Sequence, residues 1–220
     1  MRAFRRFALI ALALAQPGGA TIIFNNLSTN GIIPATITTP GGIQVHGSAY
    51  GGVNNCAAGQ FTPDQDYDLT EFNIVIGNNG GPGNAKITLN LYSDSGGVPG
   101  AQLGGQSWSF VGPNNIIQVT SVAVSNLRVS SGIPYWLVAL PGDIHTTTFW
   151  AVSSVPLFQG KHAIGVLPGG SWMVVDSPQN YSDWAFAVQG TAASVPEPAS
   201  AVLTLLGALA LLKKSRKNWS

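Results

Sequence analysis

Short runs of alternating apolar and polar residues, Gly- and Pro-rich clusters between them, and no Leu-rich helical periodicity in the body predict an all-β fold. The strand spacing fits a single antiparallel β-sandwich, jelly-roll-like, flanked by an N-terminal signal peptide and a C-terminal hydrophobic helix. The clearest strand is Lys86 to Tyr92, in which Ile87, Leu89 and Leu91 fall on one face and Thr88 and Asn90 on the other. Leu69 to Ile76, Ile116 to Val124, Pro134 to Leu140, Thr146 to Val152, Trp172 to Val175 and Trp184 to Gln189 alternate in the same way. Turn chemistry separates them at Gly77 to Gly83, Ser95 to Gly100, Gly112 to Asn115 and Pro168 to Gly170. Asn54-Asn55-Cys56 reads as a loop, and no repeat of fixed period is present.

The two ends differ from this body. Residues 1–20 carry Arg2, Arg5 and Arg6, then an apolar run from Phe7 to Ala15, then small residues, which is the layout of a secretory signal peptide. Cleavage is expected after Ala20, because a cut after Ala15 leaves Pro17 beside it. The body is expected over 21–193. Residues 194–220 hold Val195-Pro196-Glu197-Pro198, an apolar run of 14 residues from Ala199 to Leu212, and the basic cluster Lys213-Lys214-Ser215-Arg216-Lys217. As a helix that run is about 21 Å long against a hydrocarbon core of about 30 Å, so it spans only with snorkelling lysines and headgroup-level flanks. It lacks an amphipathic face to dock on a protein core, and its basic end belongs on the cytoplasmic side, with the body outside.

Charge follows the same division. Between Thr21 and Gly190 stand three basic residues, Lys86, Arg128 and Lys161, against eight acidic ones, leaving −5, although the whole chain is formally +1. A body so poor in Lys and Arg excludes a phosphate-neutralising nucleic-acid binder. The single cysteine, Cys56, excludes an internal disulfide and a cysteine-based zinc cage. It reads either as a small buried apolar side chain or as an intermolecular bridge in an oxidising compartment.

The C-terminal layout, with Pro196-Glu197-Pro198, the apolar stretch and the basic end, resembles the PEP-CTERM sorting signal of Gram-negative bacteria. The same kind of tail also goes under the name of an ice-binding-protein C-terminal domain, from which ice binding does not follow. The resemblance implies export by the Sec machinery, a transient inner-membrane anchor, and processing near Pro196 to Pro198 by an exosortase. Ala57 to Pro63, Tyr67 to Thr70, Ile87 to Gly100, Ile133 to Val138 and Trp184 to Val188 resemble the choice-of-anchor R surface domains, which occur with alternative sorting tails. That family supplies no catalytic residues to carry over.

Three groups of side chains bear on chemistry. Asp64, Asp66, Asp68 and Glu71 form the only acid cluster; three carboxylates at alternate positions of an extended segment share a side and supply oxygen ligands of the kind Ca²⁺ takes. The spacing is not an EF-hand, since Leu69 and Val75 stand where that loop needs Gly and an acid. The bland reading is a solvated edge that discourages strand pairing. Among five body tryptophans, Trp136, Trp150 and Trp184 sit in apolar strands, whereas Trp108 and Trp172 border Gly- and Ser-rich turns and are expected at exposed, sugar-binding positions. His46, His145 and His162 have no zinc spacing, no Gly-x-Ser-x-Gly elbow is present, and Glu71 is the body's one glutamate, which leaves a two-carboxylate glycan hydrolase without support. Asn26-Leu27-Ser28 and Asn180-Tyr181-Ser182 match glycosylation sequons. The expectation is therefore an exported cell-surface or extracellular-matrix protein, associated with exopolysaccharide or biofilm and without catalytic activity. The alternatives are a carbohydrate-binding module and, behind it, a glycan hydrolase.

Overall fold

The computed structural model describes residues 19–27, 42–77, 86–104, 107–111, 117–153, 161–167, 171–175 and 184–193. These form fourteen strands: β1 Thr21–Asn25, β2 Gly42–His46, β3 Asn54–Phe61, β4 Tyr67–Gly77, β5 Lys86–Asp94, β6 Pro99–Gln102, β7 Trp108–Val111, β8 Ile117–Ala123, β9 Arg128–Val129, β10 Tyr135–Pro141, β11 Thr147–Ala151, β12 His162–Leu167, β13 Trp172–Val174 and β14 Phe186–Ala192. One 3-10 turn, Ser48–Tyr50, is the only helical piece among the described residues. The apolar run Ala199 to Leu212, the motif Val195 to Pro198, almost all of the leader and the Asn180 sequon lie outside the described residues. So do most of the predicted turns at 77–83, 112–115 and 168–170. No helix among the described residues is long and apolar enough to cross a membrane.

Every ladder among the described residues is antiparallel. The strands follow the path β1-β14-β4-β11-β2-β3-β10-β5-β6, with β12 beside β3 and β13 beside β12, β7 beside β5, and β8 and β9 beside β4. Two well-paired blocks are connected along this path by one pair between β2 and β3, His46 with Asn55. On one side, β14 lies along β4 from Phe186↔Ile74 to Ala192↔Tyr67. On the other, β10 lies between β3 and β5, so that Gln60, Trp136 and Tyr92 form one row and Ala58, Val138 and Asn90 the next on the same face.

Both blocks feed one core. Phe24, Phe72, Ile74, Trp150, Phe186 and Val188 meet Phe61, Ile87, Leu89, Leu91 and Leu137 in a single buried cluster. The Phe186 ring stacks on Phe24 at 4.4 Å and receives Trp150 edge-on at 5.7 Å and Phe61 at 6.5 Å. Aromatic pairs of this kind add about 0.5–1.5 kcal/mol each beyond their buried area. The expected faces of β5 are correct: Ile87, Leu89 and Leu91 enter the core. The reverse faces are also closed, by Val75, Ala151, Ala185 and Ala187 on one block and by Ala58, Trp136, Val138 and Ala163 on the other.

Seven predicted strands appear with ends shifted by one to three residues, as fraying and hydrogen-bond criteria ordinarily cause. One expectation is corrected. Asn54-Asn55-Cys56 is not a loop but the start of β3, paired with β12 through Cys56↔Gly165. The strand is covered on both faces, so it is built from small residues rather than from an alternating pattern.

Candidate functional site

Asp64, Asp66, Asp68 and Glu71 do not form a common oxygen cage. The chain bends at Asp64 and Gln65 and becomes extended only from Tyr67, so the period-two geometry expected from Asp64 onward does not exist. Each acid has its own partner. Tyr67 donates its hydroxyl to Asp64 Oδ1 at 2.9 Å. Ser131 donates its backbone N–H to Asp66 Oδ1 at 2.8 Å and its hydroxyl to the Asp64 carbonyl at 2.8 Å. Arg128 forks onto Asp68 at 2.8 and 3.0 Å, and Gln189 donates to Glu71 Oε1 at 2.9 Å. The Arg128 hydrogen bond holds the Asp68 carboxyl below its usual range, and Asp68 in turn raises the guanidinium. Burial and then Asp64 raise the Tyr67 phenol, against the Gln65 hydrogen bond. Among the described residues no three His, Cys, Asp or Glu side chains gather as metal ligands. The cluster fastens three segments together: Gly132 donates its N–H to the Pro63 carbonyl, and Ala193 donates to the Asp66 carbonyl at 2.9 Å.

The tryptophans divide differently from the expectation. Trp136, Trp150 and Trp184 are buried, as their strands predict. Trp108 is not a free rim residue: it stands opposite Leu89 and meets Phe72 edge-on at 5.3 Å, half-buried against the core. Trp172 is half-buried as well, its ring lying over Gly165, where an added Cβ would sit 2.7 Å from the ring. The two residues are on different elements and form no joint surface; Trp172 packs with Trp136 and Tyr92 on the reverse face of β3, β10 and β12.

That reverse face holds a constellation that sequence reasoning missed. Asp94, at the end of β5, accepts the Trp136 indole N–H at 2.8 Å and the Gln60 amide at 2.9 Å on one oxygen, and the Gly97 backbone N–H at 3.0 Å on the other. Burial pushes the Asp94 carboxyl up, but the bonds from Trp136, Gly97 and Gln60 and the charge of Lys161 outweigh it, so it stays ionised below the ordinary range. Further along, Gln102 donates to Asn90 Oδ1 at 3.4 Å and to Ser107 at 3.3 Å. The Ser93-to-Gly97 phrase signals an Asp-capped turn and could have revealed the Gly97 contact. Gln60 and Trp136 join only through the strand register.

Cys56 lies on β3 with no exposed surface, and burial pushes its thiol up to about 12. It behaves as the small buried side chain, and its sulfur is not placed for bridging to another chain. His46 belongs to β2, His145 to the exposed turn before β11, and His162 to β12, where it lies buried against Trp184 at 4.9 Å. Asn26, the first sequon position, is fully buried: it donates to the Trp184 carbonyl at 2.7 Å and accepts from the Phe186 N–H at 2.8 Å. In the folded chain it is a clamp on β14 and offers no acceptor for a sugar. No protein-family model and no curated protein matches the chain.

Proposed function

We propose that this is an exported, non-enzymatic surface or matrix protein whose body is a β-sandwich, delivered by a PEP-CTERM-like tail and processed by an exosortase near Pro196 to Pro198. The carrying observation is the layout of the two ends in the sequence: a basic start and an apolar run within 1–20, and, after the body, Val195 to Pro198, the apolar run from Ala199 to Leu212 and the basic cluster Lys213 to Lys217. The sandwich reading is supported by the two strand blocks, connected along the strand path by a single β2–β3 pair and sharing one core. The non-catalytic reading is supported by the carboxylates of Asp64, Asp66, Asp68, Glu71 and Asp94, each engaged in fastening turns or strands. Intact mass of the mature protein from its native cell surface tests the proposal. A chain ending near Pro196 to Pro198, alone or with an added group, supports it; a chain retaining Lys213 to Ser220 refutes the processing step.

A second reading, a carbohydrate-binding module, is favoured by the reverse face on which Trp172 and Tyr92, both half-buried, adjoin the amides of Gln60 and Gln102. Amphipathic rings beside fixed amide donors and acceptors suit sugar hydroxyls and their apolar faces. Trp108 has no part in this version.

A further inference from the structure

The two apolar ends of the chain leave the fold at the same pole. β1 and β14 are antiparallel neighbours, and Thr21, the first residue after the expected leader, pairs with Gly190 near the end of β14. The same pole holds the start of β4, through Ala192↔Tyr67, and the 63–66 bend, through the Ala193 bond to Asp66. Gly132, bonded to Pro63, places the turn before β10 there too, with Ile133 half-exposed at 50%. The opposite pole carries the end of β4 at Gly77, paired with Phe149, and the turn after β10, where Ile144 is 55% exposed.

Distances make this arrangement consequential. Five residues, 16–20, separate the apolar run of the leader from Thr21, and five, 194–198, separate the body from the apolar run of the tail. Fully extended, each tether reaches about 17 Å. The eleven residues of β4 span about 36 Å from pole to pole. Had the ends left by opposite poles, tethers this short would not let both enter one bilayer around a folded body.

We infer that the body folds while both ends are still in the membrane, and that the pole bearing Thr21, Asp66, Ile133 and Ala193 faces the lipid surface. This rests on the tail acting as an anchor. It places both processing points beside the membrane plane, in either order of cleavage, with no need to unfold the domain.

The test uses the full chain in phosphatidylcholine vesicles. Single cysteines at Ile133→Cys or Ile144→Cys carry a donor dye, and headgroup-labelled lipid is the acceptor; Cys56, with no exposed surface, takes no label. The pair Ser131→Cys and His145→Cys repeats the measurement should either first variant misfold. Flotation with the vesicles, several-fold stronger transfer from 133 than from 144, and thermolysin resistance of the body equal with and without residues 1–20 are expected. Flotation with equal or reversed transfer overturns the pole assignment and leaves the anchor reading standing. Resistance that appears only after 1–20 are removed overturns folding on two tethers. Failure to float overturns both the inference and the anchor reading.

Discussion

Trp136 donates its indole N–H to Asp94 across 2.8 Å, joining the middle of one strand block to the turn that closes β5. The ring is completely buried, so the carboxylate is its substitute for water. Replacing Asp94 with Ala removes the acceptor for Trp136, Gln60 and Gly97 together. The expected loss is about 2–3 kcal/mol, mostly from the orphaned indole, read by urea unfolding. Asp94→Asn, which keeps one acceptor oxygen, is expected to lose less.

Acid should weaken the protein through the same group. A carboxyl held below its usual value of 3.8 contributes stability that is fully present above that value and is lost as pH falls through the depressed one. Asp68, lowered by Arg128, has the same sign, but its half-exposed ion pair adds little. Unfolding midpoints measured downward from pH 5 are expected to fall below about pH 4, and Asp94→Asn should flatten that descent.

Gly59→Ala should be costly although it adds a single methyl. The new Cβ would lie 2.5 Å from the Phe186 ring. That ring is held by Phe24, Phe61 and Trp150 and has nowhere to turn. Overpacking of this kind costs about 1–3 kcal/mol, and a drop in thermal midpoint checks it. By contrast, Arg128→Ala removes only a half-exposed ion pair and should unfold within error of the parent chain.

The thiol of Cys56 should be silent. Its value of about 12 and its lack of exposure keep it neutral and unreachable near neutral pH. A disulfide-exchange reagent at pH 8 is expected to react only after urea is added. Rapid reaction of the folded chain, or a disulfide-linked dimer, would contradict the structure.

Sugar binding by the reverse face predicts tryptophan quenching by matrix polysaccharide that Trp172→Ala abolishes and Trp108→Ala does not, provided both variants keep the parent's circular dichroism.

Much of the fold was legible where one face of a strand differs from the other. Lys86 to Asp94 announces itself because Ile87, Leu89 and Leu91 alternate with polar residues. β3 is hidden because Ala57, Ala58 and Gly59 are small on both faces, and its neighbours β10 and β12, not its own side chains, make it a strand. In the acid cluster, alternate spacing implies a shared side only where the chain is extended, and a bend at 64–65 precedes the extended run that begins at Tyr67. The Asp94 constellation was illegible for a different reason. Its partners are 34 and 42 positions away, so only register brings them together.

The pairing of β1 with β14 also sets a clock. Asn26 and Phe186, 160 positions apart, close onto each other, and β14 is the central partner of both β1 and β4. A chain threaded across a membrane from its N-terminus delivers β14 last. Until then β1 lacks the strand partner it has among the described residues, and the edge of β4 that β14 covers stays open. The non-local closure makes for slow folding, and in a chain exported as proposed it would tie completion of the domain to the moment the final strand emerges. Translocation, rather than the body's own collapse, would then decide when the protein becomes native.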